Sequence, residues 1–399
     1  MLELKFTMEQ TIGFAIILLL IGRWIKRKVP FFEKFFIPAP VIGGTLFSLL
    51  LLYGHTSETF TIEFDSGIKN LLMVAFFTTV GFSASLRILK KGGVGVALFL
   101  LAAVILVILQ NILGVSMAKM FGINPLLGLA AGSIPLTGGH GTSGAFGPYL
   151  EDLGATGATV VAVASATYGL ISGCLIGGPI ARRLMIKNNL KPTEGANGMD
   201  ASLLGEDHPI SEDRIFSAVV YVGIAMGIGT SINPILKEHG IVLPMYIACM
   251  VIAAIMRNIV DGMKKELPFN EIGIVGNISL SLFLSMALMS MKLWELAALA
   301  GPLVSILLVQ TVLMAIFAYF VTFNIMGRDY DAAVMASGHC GFGLGATPNA
   351  MANMETFTAA NGPSIKAFFI IPIVGSLFID FCNAAVIQSF ANFIVSRGW

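Results

Sequence analysis

Apolar residues run through this chain in long uninterrupted blocks separated by short polar connections. Ten blocks lie at about 8–24, 38–54, 67–86, 92–121, 158–185, 214–236, 241–260, 271–291, 296–325 and 363–395. Each approaches the roughly 20 residues that a helix needs to cross a bilayer core of about 30 Å. None alternates with a period of two, so a lipid-facing β-barrel is not expected and each block predicts a spanning helix. Two further apolar stretches, about 125–148 and 331–350, are rich in glycine and interrupted by proline. The six glycines between 132 and 147 are too many for a stable helix. Irregular backbone at membrane depth has to be buried in protein or line a wet cavity. Both stretches are therefore predicted to be re-entrant.

Composition agrees with the pattern. The 399 residues are 56% hydrophobic and 12% charged, with a mean hydropathy of +0.85. A soluble domain carries about 25% charged residues, so a cytosolic enzyme is excluded. A net charge of +1 without a basic block excludes a nucleic-acid binder. Cys174, Cys249, Cys340 and Cys382 all fall in apolar stretches and read as small apolar residues. His140 has no Cys, Glu or third His nearby and His339 has only its neighbour Cys340, which argues against zinc. No phosphate-binding loop is present, so bound ATP is not the expected energy source.

Orientation follows from Lys and Arg. With the N-terminus outside, all of the 24 except Lys5, Lys69, Lys119, Lys237, Lys292 and Arg397 fall inside. That asymmetry requires 125–148 to dip in from outside and 331–350 from inside. The first block has its positive charge after the apolar run and no small-residue cleavage site, so it reads as a retained span. A polar segment at about 187–213 is predicted to be a flexible inside linker between two membrane halves, 1–186 and 214–399.

The halves echo each other. Gln110 precedes His140 by 30 residues, and Gln310 precedes His339 by 29. Five spans on each side of the linker give the copies opposite orientation, the inverted-repeat plan of secondary transporters. Gly173, Gly177 and Gly178 read as close helix packing.

Two such segments would bring helix ends to the bilayer midplane. Free N–H groups at helix N-termini favour anions, exposed carbonyls favour cations, and glycine admits a ligand to the backbone. Ser133, Thr137, Thr142, Ser143, Ser337 and Thr347 add hydroxyls. The set suits a small anion together with a hard cation such as Na⁺. Among the acids only Asp380 falls well inside a predicted span, and an intramembrane carboxylate is a functional residue by default. Helix packing against Asn383 is its bland alternative. Asn277, Gln110, Asn111 and Gln310 are weaker candidates, because buried amides often join helices. Arg257, Asn258 and Asp261 read as an interfacial anchor. His55, His208 and His239 carry no signal.

Gly-Ser-Ile-Pro-Leu-Thr-Gly-Gly-His-Gly-Thr (132–142) and Gly-His-Cys-Gly-Phe-Gly-Leu-Gly-Ala-Thr-Pro (338–348) resemble signatures of the bacterial glutamate:sodium symporter family. So do Gly-Asn-Ile-Ser-Leu-Ser-Leu-Phe-Leu (276–284), Lys-Leu-Trp-Glu-Leu-Ala (292–297) and Ile-Pro-Ala-Pro-Val-Ile-Gly-Gly (37–44). Pro135 departs from the family pattern. The resemblance runs from the first span to the last. It implies an all-α polytopic protein of ten transmembrane helices in two inverted five-helix repeats, each with a re-entrant hairpin. It further implies Na⁺-driven symport of L-glutamate across the bacterial inner membrane by an elevator-like alternating-access motion in a homodimer. The termini would be periplasmic and the linker cytoplasmic. No cofactor is expected beyond Na⁺ as coupling ion, and the partners are glutamate, Na⁺ and the lipid bilayer.

On this reading Ser133, Thr137, Gly138, Gly139, His140, Gly141, Thr142, Gly338, His339, Gly341, Gly343, Gly345 and Thr347 line the substrate, and Asp380, Asn383, Ser337 and Asn277 hold Na⁺. A Na⁺-coupled carrier of citrate or another hydroxycarboxylate is the alternative. A passive channel would want a ring of repeated charges, which the sequence lacks. An intramembrane hydrolase would want a Ser with a base and an ordering acid, also lacking.

Overall fold

The computed structural model describes residues 2–35, 37–91, 93–192, 209–238, 244–263, 265–295 and 299–398. The centre of the predicted linker, Lys264, His208, His239 and the first residues of the blocks at 92, 241 and 296 lie outside them, as do the last two residues of the 292–297 motif. The chain starts with strand β1 (Leu2–Phe6), α1 (Met8–Lys28), α2 (Pro30–Lys34), α3 (Ala39–Thr56) and strand β2 (Phe60–Phe64). Helices α4 (Gly67–Ser83), α5 (Leu86–Lys91), α6 (Gly93–Met120), α7 (Pro125–Ala130), α8 (Ser133–Leu136), α9 (Gly139–Asp152) and α10 (Ala158–Lys187) follow. Next come α11 (Glu212–Glu238), α12 (Met245–Gly262), α13 (Phe269–Met289) and α14 (Ala300–Ile316), the last continued by a π-helical turn, Phe317–Thr322, into α15 (Phe323–Ile325). The chain closes with α16 (Tyr330–Leu344), α17 (Thr347–Asn361), α18 (Ile365–Leu377) and α19 (Ile379–Ser396).

Among the described residues ten helices are long and apolar enough to cross a membrane, five before residue 190 and five after residue 210. Each predicted block overlaps one of them. Three details differ from the sequence reading. The block 363–395 is two helices that part at Phe378, and Pro372 within α18 has no N–H to donate to the preceding turn. The stretch 331–350 runs as regular helix through Gly338, Gly341 and Gly343 before it breaks, and α9 is helical through Gly141, Gly144 and Gly147. Glycine costs a helix about 1 kcal/mol per residue in isolation. Here close packing offsets that cost: a Cβ at Gly147 would stand 2.6 Å from Thr159 Cα, and one at Gly341 2.6 Å from Ala350 N. Third, β1 and β2 form a parallel pair in register from Leu2↔Phe60 to Phe6↔Phe64, joined across α1 and α3.

The chain divides into two compact units, each drawing on both sides of the linker. One holds Met1–Ser85 and His208–Ala297; the other holds Leu86–Asp207 and Ala298–Trp399. In the first, helices meet at small residues, as membrane helices do when packing and hydrogen bonds replace the hydrophobic drive. Gly22 and Gly43 let α1 and α3 touch through the carbonyls of Ala39 and Leu18, and Gly81 seats the Met250 carbonyl of α12 on α4. Ser285 Oγ donates to Ala15 O at 2.7 Å, tying α13 to α1. Glu271, fully buried, receives Arg214 at 2.9 Å. Arg257 lies over the Phe269 ring and 3.2 Å from Asp261, whose carboxylate also takes Ser85 Oγ.

The second unit is built around α10. Its Gly169, Gly173 and Gly177, spaced four apart, face α16 and α17. A Cβ at Gly169 would collide with Leu344 O, and one at Gly173 would stand 2.8 Å from Cys340 O; Gly178 faces open space. Asn349 Nδ2 donates to Leu170 O at 3.0 Å and Asn353 Nδ2 to Gly173 O at 3.0 Å, so two amides one turn apart on α17 zip it onto α10. Along its earlier turns α10 receives α9, where Ser143 Oγ reaches Ala162 O at 3.2 Å.

Candidate functional site

Three helical segments of the second unit are interrupted: α8 and α9 part at Thr137–Gly138, α16 and α17 at Gly345–Ala346, and α18 and α19 at Phe378. Gly139 stands at φ +64, a left-handed conformation that a side chain disfavours. A Cβ there would stand 3.3 Å from Gly345 O, so the first two interruptions abut. The third joins them. Asn383 Nδ2 donates to Ser133 O at 3.1 Å, and a Cβ at Gly375 would stand 2.8 Å from Thr347 Oγ1.

Helices α9, α17 and α19 all begin here, and none has a side-chain cap on its first N–H groups. Uncapped N-termini attract an anion through these N–H groups and the helix dipole. Gly138, Gly141, Ala346, Thr347 and Asp380 are half-buried, with their fully buried neighbours behind them. The Thr142 and Thr347 hydroxyls stand in the first turns of α9 and α17. His140, on the first turn of α9, places Nε2 3.0 Å from Thr167 Oγ1, whose own hydrogen goes to Val163 O at 3.2 Å. That leaves His140 Nε2 as the donor and Nδ1 as an acceptor.

Buried oxygens without partners accompany these N–H groups. Asn383 and Gln310 are fully buried, and each gives its amide N–H to a main-chain carbonyl: Asn383 to Ser133, Gln310 to Gln110 at 2.7 Å. A carbonyl partner fixes the amide orientation, so what remains without a partner is oxygen: Asn383 Oδ1 and Gln310 Oε1. Ser133 Oγ and Asn349 Oδ1 are likewise buried and unpaired. Asp380 lies on the first turn of α19, three residues before Asn383 and so on the same side of the helix.

The predicted residues divide. Ser133, Thr137, Gly138 to Thr142, Gly343, Gly345, Thr347, Asp380 and Asn383 gather at the interruptions. Gly341 serves the close crossing of α16 and α17. Ser337 and Gly338 sit about 10–12 Å of helix before Gly345, with Ser337 O bonded to Asn353 and Gly338 against Met354. His339 is enclosed by Phe99, Phe342 and Phe317, with ring centroids at 4.8, 5.5 and 5.8 Å, and its Nδ1 meets Thr322 Oγ1 at 2.8 Å. Asn277 is exposed on α13 and belongs to the other compact unit. Buried acids are also more numerous than the sequence suggests: Glu271 pairs with Arg214, and Asp331 takes Ser364 Oγ at 2.6 Å. Asn349, with its buried unpartnered oxygen close after the second interruption, is a residue that the sequence reading misses. Its signal is an amide directly after Ala-Thr-Pro, where a helix restarts.

Ten apolar spans, with three interrupted helices meeting inside one unit, make the architecture of a multi-span membrane transporter. The sodium/glutamate symporter family model matches residues 4–363. The sodium/glutamate symporter of Escherichia coli strain K12 is 42% identical over 394 residues, 97% of this chain and 98% of the relative. That of Haemophilus influenzae is 39% identical over 396 residues, with the same coverage. The chain belongs to the sodium/glutamate symporter family. A solved sodium proton antiporter from Methanocaldococcus jannaschii aligns over 97% of both chains at 14% identity and a TM-score of 0.43, too loose to carry weight.

Proposed function

We propose that the protein carries L-glutamate together with Na⁺ into the cell across the bacterial inner membrane. The observation that carries the reading is the meeting of uncapped α9 and α17 N-termini at Gly139 and Gly345. The two carboxylates of glutamate sit on the N–H groups of Gly139 to Gly141 and of Thr347, with the Thr142 and Thr347 hydroxyls. Na⁺ is held by Asn383 Oδ1, Ser133 Oγ and the Asp380 carboxylate, oxygen ligands suited to a hard cation. The two halves are inverted repeats, with the glycine-rich segments re-entrant from opposite faces, the linker cytoplasmic and both termini periplasmic. In a homodimer, the unit bearing the interrupted helices shifts across the bilayer once both ligands are bound, giving alternating access.

The test is uptake of labelled L-glutamate into proteoliposomes with and without an inward Na⁺ gradient, challenged by D-glutamate, aspartate and citrate. Transient accumulation above equilibrium that needs Na⁺ and yields to unlabelled L-glutamate is the expected result. Equilibration without accumulation would indicate a passive pore, and displacement by citrate alone would move the substrate to the hydroxycarboxylates.

A further inference from the structure

Helix α6 is strongly apolar, yet its middle carries Gln110, fully buried. An amide at that depth is costly unless every polar atom is paired. Its side chain is paired on both sides, and both partners belong to interruptions. Gln110 Oε1 accepts the Thr137 hydroxyl at 2.8 Å, one residue before Gly138. Gln110 Nε2 donates to Gly343 O at 2.7 Å, two residues before Gly345. Gly343 O belongs to the last turn of α16, where the helix ends before it can supply this carbonyl with an N–H. The main-chain carbonyl of Gln110 takes Gln310 Nε2 at 2.7 Å, so α14 holds the same residue from behind.

We propose that Gln110 is a positioning residue that couples the two ligands. It holds the first interruption, with its Ser133 oxygen, and the second, with the α17 N-terminus, in one shared geometry. The inference rests on the sodium-coupled reading above. Both ends of the amide are committed to these partners. A ligand that draws Thr137 or the end of α16 into place moves the other through two short hydrogen bonds. Coupling of this kind is reciprocal: Na⁺ tightens glutamate by the same factor that glutamate tightens Na⁺, typically about 5–150-fold.

The experiment measures glutamate Kd at low and saturating Na⁺, and Na⁺ affinity with and without glutamate, on detergent-purified full-length protein. In the wild type both ratios are expected to agree and to exceed unity. Gln110→Ala is expected to keep measurable binding of each ligand while both ratios fall towards one. Thr137→Val removes only the hydroxyl and is expected to lower the ratios partway, with Thr137→Ser restoring them. This pair decides the question even if Gln110→Ala does not fold. Gln110→Glu is expected to regain the linkage as pH falls, because only the protonated acid can donate to Gly343 O. Wild-type ratios in both Gln110→Ala and Thr137→Val, or a Gln110→Glu linkage that follows the wild-type pH profile, would overturn the proposal. A wild type in which Na⁺ leaves glutamate affinity unchanged would bring down the sodium-coupled reading itself, and this inference with it.

Discussion

Two glycine-rich segments, each with a Gly-His pair, look alike along the chain and differ in the folded protein. In the first, the helix is interrupted before the histidine, so His140 sits on the opening turn of α9 among half-buried residues and keeps an acceptor nitrogen. In the second, helix continues past the histidine for five residues, and His339 is sealed among three phenylalanines. Placement relative to the interruption, more than residue type, decides how each histidine is surrounded. The π-helical turn Phe317–Thr322 belongs with the second arrangement, since it delivers Thr322 to His339.

That contrast can be broken experimentally. His339→Ala opens a cavity in a closed aromatic nest and is expected to destabilise the protein by about 2–5 kcal/mol. A lowered thermal midpoint with glutamate affinity of the folded fraction changed by less than about two-fold supports the division. A large affinity loss without a stability loss would contradict it. His140→Ala should do the reverse, weakening glutamate binding by roughly 5–160-fold, the range of about 1–3 kcal/mol for a lost buried hydrogen bond, with a smaller loss of thermal midpoint than His339→Ala. If both variants behave alike, the two positions are equivalent after all.

Smaller effects sharpen the picture at the interruptions. Gly139→Ala forces a methyl into a left-handed backbone facing Gly345 O and is expected to cost about 1–2 kcal/mol, seen as weakened glutamate binding. Gly139→Asn should recover part of it, because asparagine tolerates that conformation. At the bottom of the scale Gly178→Ala should change stability by less than about 0.5 kcal/mol, since nothing lies within 4 Å of the added methyl. The neighbouring stripe sets the contrast, as Gly169→Ala meets Leu344 O and should lower the thermal midpoint.

Much of this architecture is legible in the order of residues. The ten spans follow from block length alone, because a bilayer of fixed thickness selects them. Ser133, Thr137 and Gly138 to Thr142 stand out because hydroxyls and glycines cluster where an apolar run ought to be featureless. What stays hidden depends on three-dimensional neighbours. Glycine content alone does not reveal that α16 continues through Gly338, Gly341 and Gly343, since the compensation lies in Met354, Ala350 and Leu106 on other elements. The division of the 363–395 block at Phe378 lacks the glycine that marks the other two interruptions. Strand β1 is five residues long and pairs with a partner over fifty residues away, beyond the reach of local periodicity. Glu271 looks like a span boundary until Arg214 is seen against it.

The interleaving of the two compact units bears on how the chain is made. Helices α1, α3 and α4 emerge from the ribosome first, but their partners α11, α12 and α13 belong to the same unit and follow only after the intervening stretch from Leu86 to Asp207. At 5–20 residues per second, those roughly 120 residues take about 6–25 s. For that interval the groove at Gly81, destined for the Met250 carbonyl, faces lipid or a chaperone. The nascent protein must therefore tolerate a half-built membrane bundle, and a substitution that is harmless once assembly is complete can still be lost to quality control during the wait.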